Sequence, residues 1–91
     1  MDERLSEILD FLNERKMRAH YGAVAGVLGV SPRSVGTMLG EQSPRASWVV
    51  AKESDMPTDY EEENQHPELQ RTSLIIQTPS ALERGMKKWR E

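Results

Sequence analysis

The stretch Tyr21–Gly40, YGAVAGVLGVSPRSVGTMLG, leaves the chain few ways to fold. Val24, Ala25, Val27 and Leu28 crowd a segment too short to hold as a helix unless it is packed against something else. Gly29 stands where a left-handed helix cap belongs. Ser31 then offers an N-cap hydroxyl, with Pro32 at the first helical position. The second helix is predicted over 32–39. Val35, Met38 and Leu39 share its inner face, and Arg33, Ser34 and Thr37 its outer one. Short helix, glycine turn, capped helix is the pattern of a helix-turn-helix, and equally of a plain helical hairpin that binds nothing.

The flanks predict a small helical domain. Residues 1–17 form the clearest helix: Leu5, Ile8, Leu9 and Leu12 make an i, i+3, i+4, i+7 stripe beside Phe11. Asp2 and Glu3 fall in its first turn and Arg15, Lys16 and Arg18 near its last, as the helix dipole favours. Ser47–Ala51 is a short β-prone run, and Thr58-Asp59-Tyr60 after a turn-rich stretch is placed for the return strand of a wing. Residues 61–67 read as an acidic loop and 68–77, with Leu69, Leu74, Ile75 and Ile76, as a short buried segment. A last helix is predicted over about 79–90, capped by Thr78 or Ser80, with Glu83 in the capping-box position for Ser80 and Leu82, Met86 and Trp89 facing inward. The fold class expected is mainly α, a single winged helix-turn-helix domain over 1–91 with a small β wing.

Taken in order, Tyr21-Gly22, Val24-Ala25, Gly29, Arg33-Ser34-Val35-Gly36 and Leu39-Gly40 resemble the DNA-binding half of the alkylguanine-DNA alkyltransferases and the alkyltransferase-like proteins, over roughly residues 5–60. In that family a Thr-Tyr-Gly-x-hydrophobic-Ala segment opens the helix-turn-helix, and Arg-x-Val-Gly-x-x-Leu forms a recognition helix that enters the minor groove. The resemblance implies that Arg33 takes the place of a base turned out of the stack and that Tyr21 helps swing the nucleotide outward. It implies an interface with double-stranded, alkylated DNA over Tyr21, Gly22, Ser31, Arg33, Ser34, Gly36 and Thr37. It also implies a base pocket formed by Ala46, Trp48, Met56 and Tyr60, and a nucleotide-excision repair protein as the downstream partner. His20 stands where the family often has threonine, and Asp59 where it has glycine before the tyrosine matched by Tyr60.

The family's Pro-Cys-His-Arg-Val-Val segment, whose cysteine accepts the alkyl group, corresponds to Arg45-Ala46-Ser47-Trp48-Val49-Val50. Aligned on the valines, Ala46 takes the cysteine position; a slip of one or two residues puts Trp48 there. Either way the chain has no cysteine, so a thiolate nucleophile and self-alkylating repair are excluded.

Composition bounds the rest. With 91 residues and 36% hydrophobic content the chain can build one modest core. Zero cysteines also remove disulfides and zinc–cysteine sites, and fit a reducing interior. The absence of a long apolar run or secretory leader leads to the expectation of a soluble, cytoplasmic protein with no membrane partner. Neither His20 nor His66 has a second histidine at i+3 or i+4, so no metal is expected. No phosphate-cradling glycine loop or triad suggests catalysis, and no cofactor or enzyme activity is expected. The net charge of −3 opposes nucleic-acid binding as a whole, but it is unevenly spread. Over 14–45, Arg15, Lys16, Arg18, Arg33 and Arg45 outweigh Glu14 and Glu41, whereas 53–68 holds seven acids and no lysine or arginine. A cationic face on an acidic body allows modest DNA affinity. Two other readings stand beside it: a regulator that uses the recognition helix without base flipping, and a protein-interaction module that has lost DNA.

Overall fold

A computed structural model describes residues 2–58 and 60–91. Helix α1 spans Glu3–Arg15. The Asp2 carboxylate accepts from the Arg4 and Leu5 amides at 2.8 and 3.2 Å, so Asp2 is the cap rather than a first-turn residue. Lys16 takes a left-handed conformation (φ 56°) and its amide closes on Leu12 O, which ends the helix at Arg15, two residues short of Met17. The expected stripe is the centre of the core: Leu5, Ile8, Leu9, Phe11 and Leu12 are all buried.

Arg18 is not part of α1. It opens strand β1, Arg18–His20, which sequence reading left unassigned. Helix α2 (Tyr21–Leu28) follows, beginning at Tyr21 itself and ending at the expected Gly29 cap, and α3 (Pro32–Leu39) has the expected bounds. Gly29 adopts φ 73°, which a β-carbon would strain, and Ser31 Oγ accepts from the Ser34 amide at 3.2 Å. Val35 and Leu39 are buried, and Met38 is half-buried against the core.

A 3₁₀ turn over Ala46–Trp48 leads into β2, Val49–Val50. A second over Glu62–Asn64 precedes β3, Ile75–Ile76. The sheet order is β2-β1-β3 and both pairings are parallel, with Ala19 opposite Val49 and Ile76. This corrects the expected wing. Val49–Val50 is a strand, but its partner is β1, and neither Thr58 nor Tyr60 lies in a returning strand; Asp59 is outside the described residues. Parallel pairing requires a long crossover; between β1 and β2 that crossover carries α2 and α3.

Helix α4 covers Pro79–Arg90, and its cap is Thr78, whose hydroxyl accepts from Ala81 N at 3.2 Å; Ser80 is inside the helix. Leu82 and Met86 are buried, and Trp89 rests its ring 5.6 Å from Phe11. Helix α2 packs on both α3 and α4. Gly26 makes the second contact possible, since a β-carbon there would lie 2.1 Å from Pro79 Cγ. The result is a mainly helical domain with a small parallel sheet. No helix among the described residues is long and apolar enough to cross a membrane.

Candidate nucleic-acid interface

The first turns of α2 and α3 face the segment that follows β2 across an open cavity of about 570 Å³. Tyr21, Gly22, Pro32, Arg33 and Gly36 form one wall; Ala51, Lys52, Glu53 and Thr58 form the other. Four of the seven residues expected at a DNA interface, Tyr21, Gly22, Arg33 and Gly36, are thus brought to one place. A β-carbon on Gly22 or Gly36 would meet no atom within 4 Å, so both glycines leave the backbone open to a ligand. The Arg33 side chain is exposed and makes no hydrogen bond or ion pair with any described residue. Ser34 and Thr37 belong to α3 and Ser31 caps it, but none of the three lines the cavity. The hydroxyls of Ser31 and Ser34 are 2.9 Å apart and bond to each other.

The expected base pocket is not assembled. Ala46 and Trp48, the two candidates for the cysteine position, are both buried in the core. The Trp48 indole donates to Asn13 Oδ1 at 3.0 Å, and its ring centroid lies 4.7 Å from that of His66. A tryptophan so enclosed has no free face for a base. Met56 is half-buried, with its sulfur 3.9 Å from Arg18 Nη1. Tyr60 accepts a hydrogen bond from the Ser43 amide at 3.3 Å; burial raises its phenol above the ordinary value, and the Ser43 bond offsets part of that. None of these four residues lines the 570 Å³ cavity.

Two of the arginines counted toward a cationic face serve the fold instead. Arg45 reaches α1, where it donates to Asp10 at 2.6 and 3.0 Å and to Ser6 O at 2.7 Å. Arg18 donates to Asp55 O at 2.7 Å and to Thr72 O at 2.6 Å. From the same face of β1, the His20 Nε2–H donates to Asp55 Oδ1 at 2.7 Å. Asp55 itself is left-handed, at φ 56°. Together Arg18 and His20 pin the 51–58 segment against the sheet and so set the second wall of the cavity.

That wall was missed by sequence reasoning. One signal was present: Lys52 is the only lysine or arginine between Arg45 and Arg71. Among the described residues no group of three or more histidines and carboxylates is gathered as a metal site would require. The chain matches no family model, and comparison with curated proteins and with solved structures finds no match.

Proposed function

We propose that this chain is a non-enzymatic, double-stranded DNA-binding protein of the alkyltransferase-like kind, which holds an alkylated guanine turned out of the duplex and thereby marks it for repair. The observation that carries this reading is the cavity. It joins the tyrosine that opens α2, the arginine on the first turn of α3 and two open glycines, with the arginine unpaired. A recognition helix needs such an unpaired cation to enter a groove, and an extruded base needs a concave site beside it. In this reading the base enters the 570 Å³ cavity rather than a pocket at Trp48. The fold is then a winged helix-turn-helix in which the pinned 51–58 segment stands in the wing's place. Extrusion costs a few kcal/mol, and less for a damaged base, which favours lesions over intact guanine. With no cysteine in the chain, recognition is not followed by alkyl transfer to a thiolate.

The test is binding of wild type and Arg33→Ala to matched duplexes containing guanine or O6-methylguanine. Arg33→Ala is expected to weaken lesion binding by an additional ~1–3 kcal/mol over its effect on the plain duplex. Sequence preference without lesion preference would favour a regulator of the ordinary recognition-helix type. No binding to either duplex would favour an interaction module, to which the seven acids of 53–68 are suited.

A further inference from the structure

The cavity has a cation on each wall. Arg33 projects from α3, and Lys52 stands opposite on the segment after β2. Both side chains are exposed, and neither pairs with any described residue. Unpaired like charges on the two sides of a concave, partly apolar opening reinforce each other's potential and attract a polyanion. The lysine is presented on a fixed platform. The Ala51 amide donates to Met56 O at 2.9 Å and the Asp55 amide to Ala51 O at 2.8 Å, closing a tight turn around Lys52. Asp55 is in turn tied to β1 through Arg18 and His20.

We propose that Lys52 is a phosphate-binding residue of the interface, so that a DNA strand is held from both sides of the cavity, by Arg33 in the groove and by Lys52 on the backbone. This rests on the DNA-binding reading above and assigns a second, independent contact within it. The two cations have different tasks. A backbone phosphate is present whatever the base, so Lys52 adds affinity without discrimination, whereas a base-replacing arginine discriminates. Glu53, beside Lys52 on the same wall, opposes the phosphate and sets a limit on the affinity.

The experiment measures binding of the full chain to the guanine and O6-methylguanine duplexes across a salt series. Lys52→Met should bind about eightfold more weakly near 0.1 M salt, by the same factor on both duplexes, with the log–log salt slope shallower by about 1. Lys52→Arg should restore both, and Glu53→Gln should bind more tightly than wild type. Lys87→Met, on the exposed side of α4 away from the cavity, makes the same change in net charge and should leave binding at the wild-type level. Equal loss in Lys52→Met and Lys87→Met would overturn the proposal in favour of an overall charge effect. A loss confined to the lesion duplex would overturn it in favour of a base contact. If wild type binds and Lys52→Met matches it at every salt, this inference alone fails. If wild type binds neither duplex, the DNA reading fails and takes this inference with it.

Discussion

The two walls of the cavity are held by interactions of different range. The α2–α3 wall is closed by its own neighbours. The amides of Gly29 and Val30 both turn back to Ala25 O, and Ser31 caps the helix that Pro32 begins. Val35 and Leu39 then seat α3 in the core. The 51–58 wall has a tight turn but no regular element. Its position depends on side chains contributed from β1, more than thirty residues earlier in the chain, which reach Asp55 at 2.7 Å. Locally specified structure should therefore fail gradually, one cap at a time. A wall hung on a few remote donors should fail at once when the main donor goes.

Arg18 is that donor, and its replacement should have the largest effect. Arg18→Met keeps much of the apolar stem but leaves Asp55 O and Thr72 O without their partners. Hydrogen bonds from a charged donor contribute about 1.5–3 kcal/mol each, and Arg18 is only half-buried, so a total loss of about 3 kcal/mol is expected. Urea unfolding would register it as a lower midpoint. Hydrogen exchange should show the amides of Ala51 and Asp55 opening while those of α2 and α3 keep their relative protection. A loss under about 1 kcal/mol, or uniform loss of protection, would show that the two walls do not differ in the way described.

The same difference in range separates what could be read in the sequence from what could not. The end of α2 and the start of α3 were legible because a glycine, a capping serine and a proline act within about four residues of themselves. Strand β1 was not legible. Arg18-Ala19-His20 contains no valine, isoleucine, threonine, tyrosine, phenylalanine or tryptophan, and it is a strand because Val49–Val50 and Ile75–Ile76 supply partners on both sides. The same pairing overrode the wing. A hairpin was the economical expectation for Ser47–Ala51, but Val49 and Val50 are wholly buried once they lie beside β1, which an exposed wing would not offer. For the site, Tyr21 and Arg33 could be found because they belong to a local motif. Trp48 was placed in a base pocket by resemblance because the sequence does not reveal that Asn13 receives its indole N–H at 3.0 Å. Lys52 had no motif at all.

Breaking the local wall should cost less. Ser31→Ala removes the Oγ that accepts from Ser34 N and leaves the rest of the turn unchanged, for a loss of about 1 kcal/mol. Ser31→Asp should recover most of it, since a carboxylate accepts the same bond and suits a helix N-terminus. Because Ser31 does not line the cavity, binding of the plain duplex should follow stability and no more. Failure of the aspartate variant to recover stability would mean that the α2–α3 turn is fixed by packing rather than by its cap.

The smallest effect sharpens the comparison through pH. No titrating side chain makes the bonds that cap α3, but the 61–71 segment is joined to the core through His66. That ring packs on Trp48, its Nδ1 accepts the Glu68 amide at 3.0 Å, and the His66 amide donates to Ser47 Oγ at 3.0 Å. An acceptor Nδ1 carries no proton, so the contact belongs to the neutral ring. Burial lowers the His66 pKa below its ordinary value; Lys16 lowers it further and Glu68 partly opposes both. The direction in stability follows. Above the ordinary histidine range the ring is neutral in both folded and unfolded chains, and its contribution is complete. As pH falls through that range the unfolded chain takes up the proton first, so stability declines until the lowered folded-state value is passed. Comparing wild type with His66→Asn between pH 8 and pH 5 isolates this from carboxylate titration, which is common to both. The gap between the two should be widest at pH 8 and should narrow toward pH 5 by less than about 1 kcal/mol, because the ring remains partly in contact with water. The loss from Ser31→Ala, measured over the same range, should stay constant. A gap for His66→Asn that does not change with pH would show that the ring contributes through its tilted packing on Trp48 and not through Nδ1.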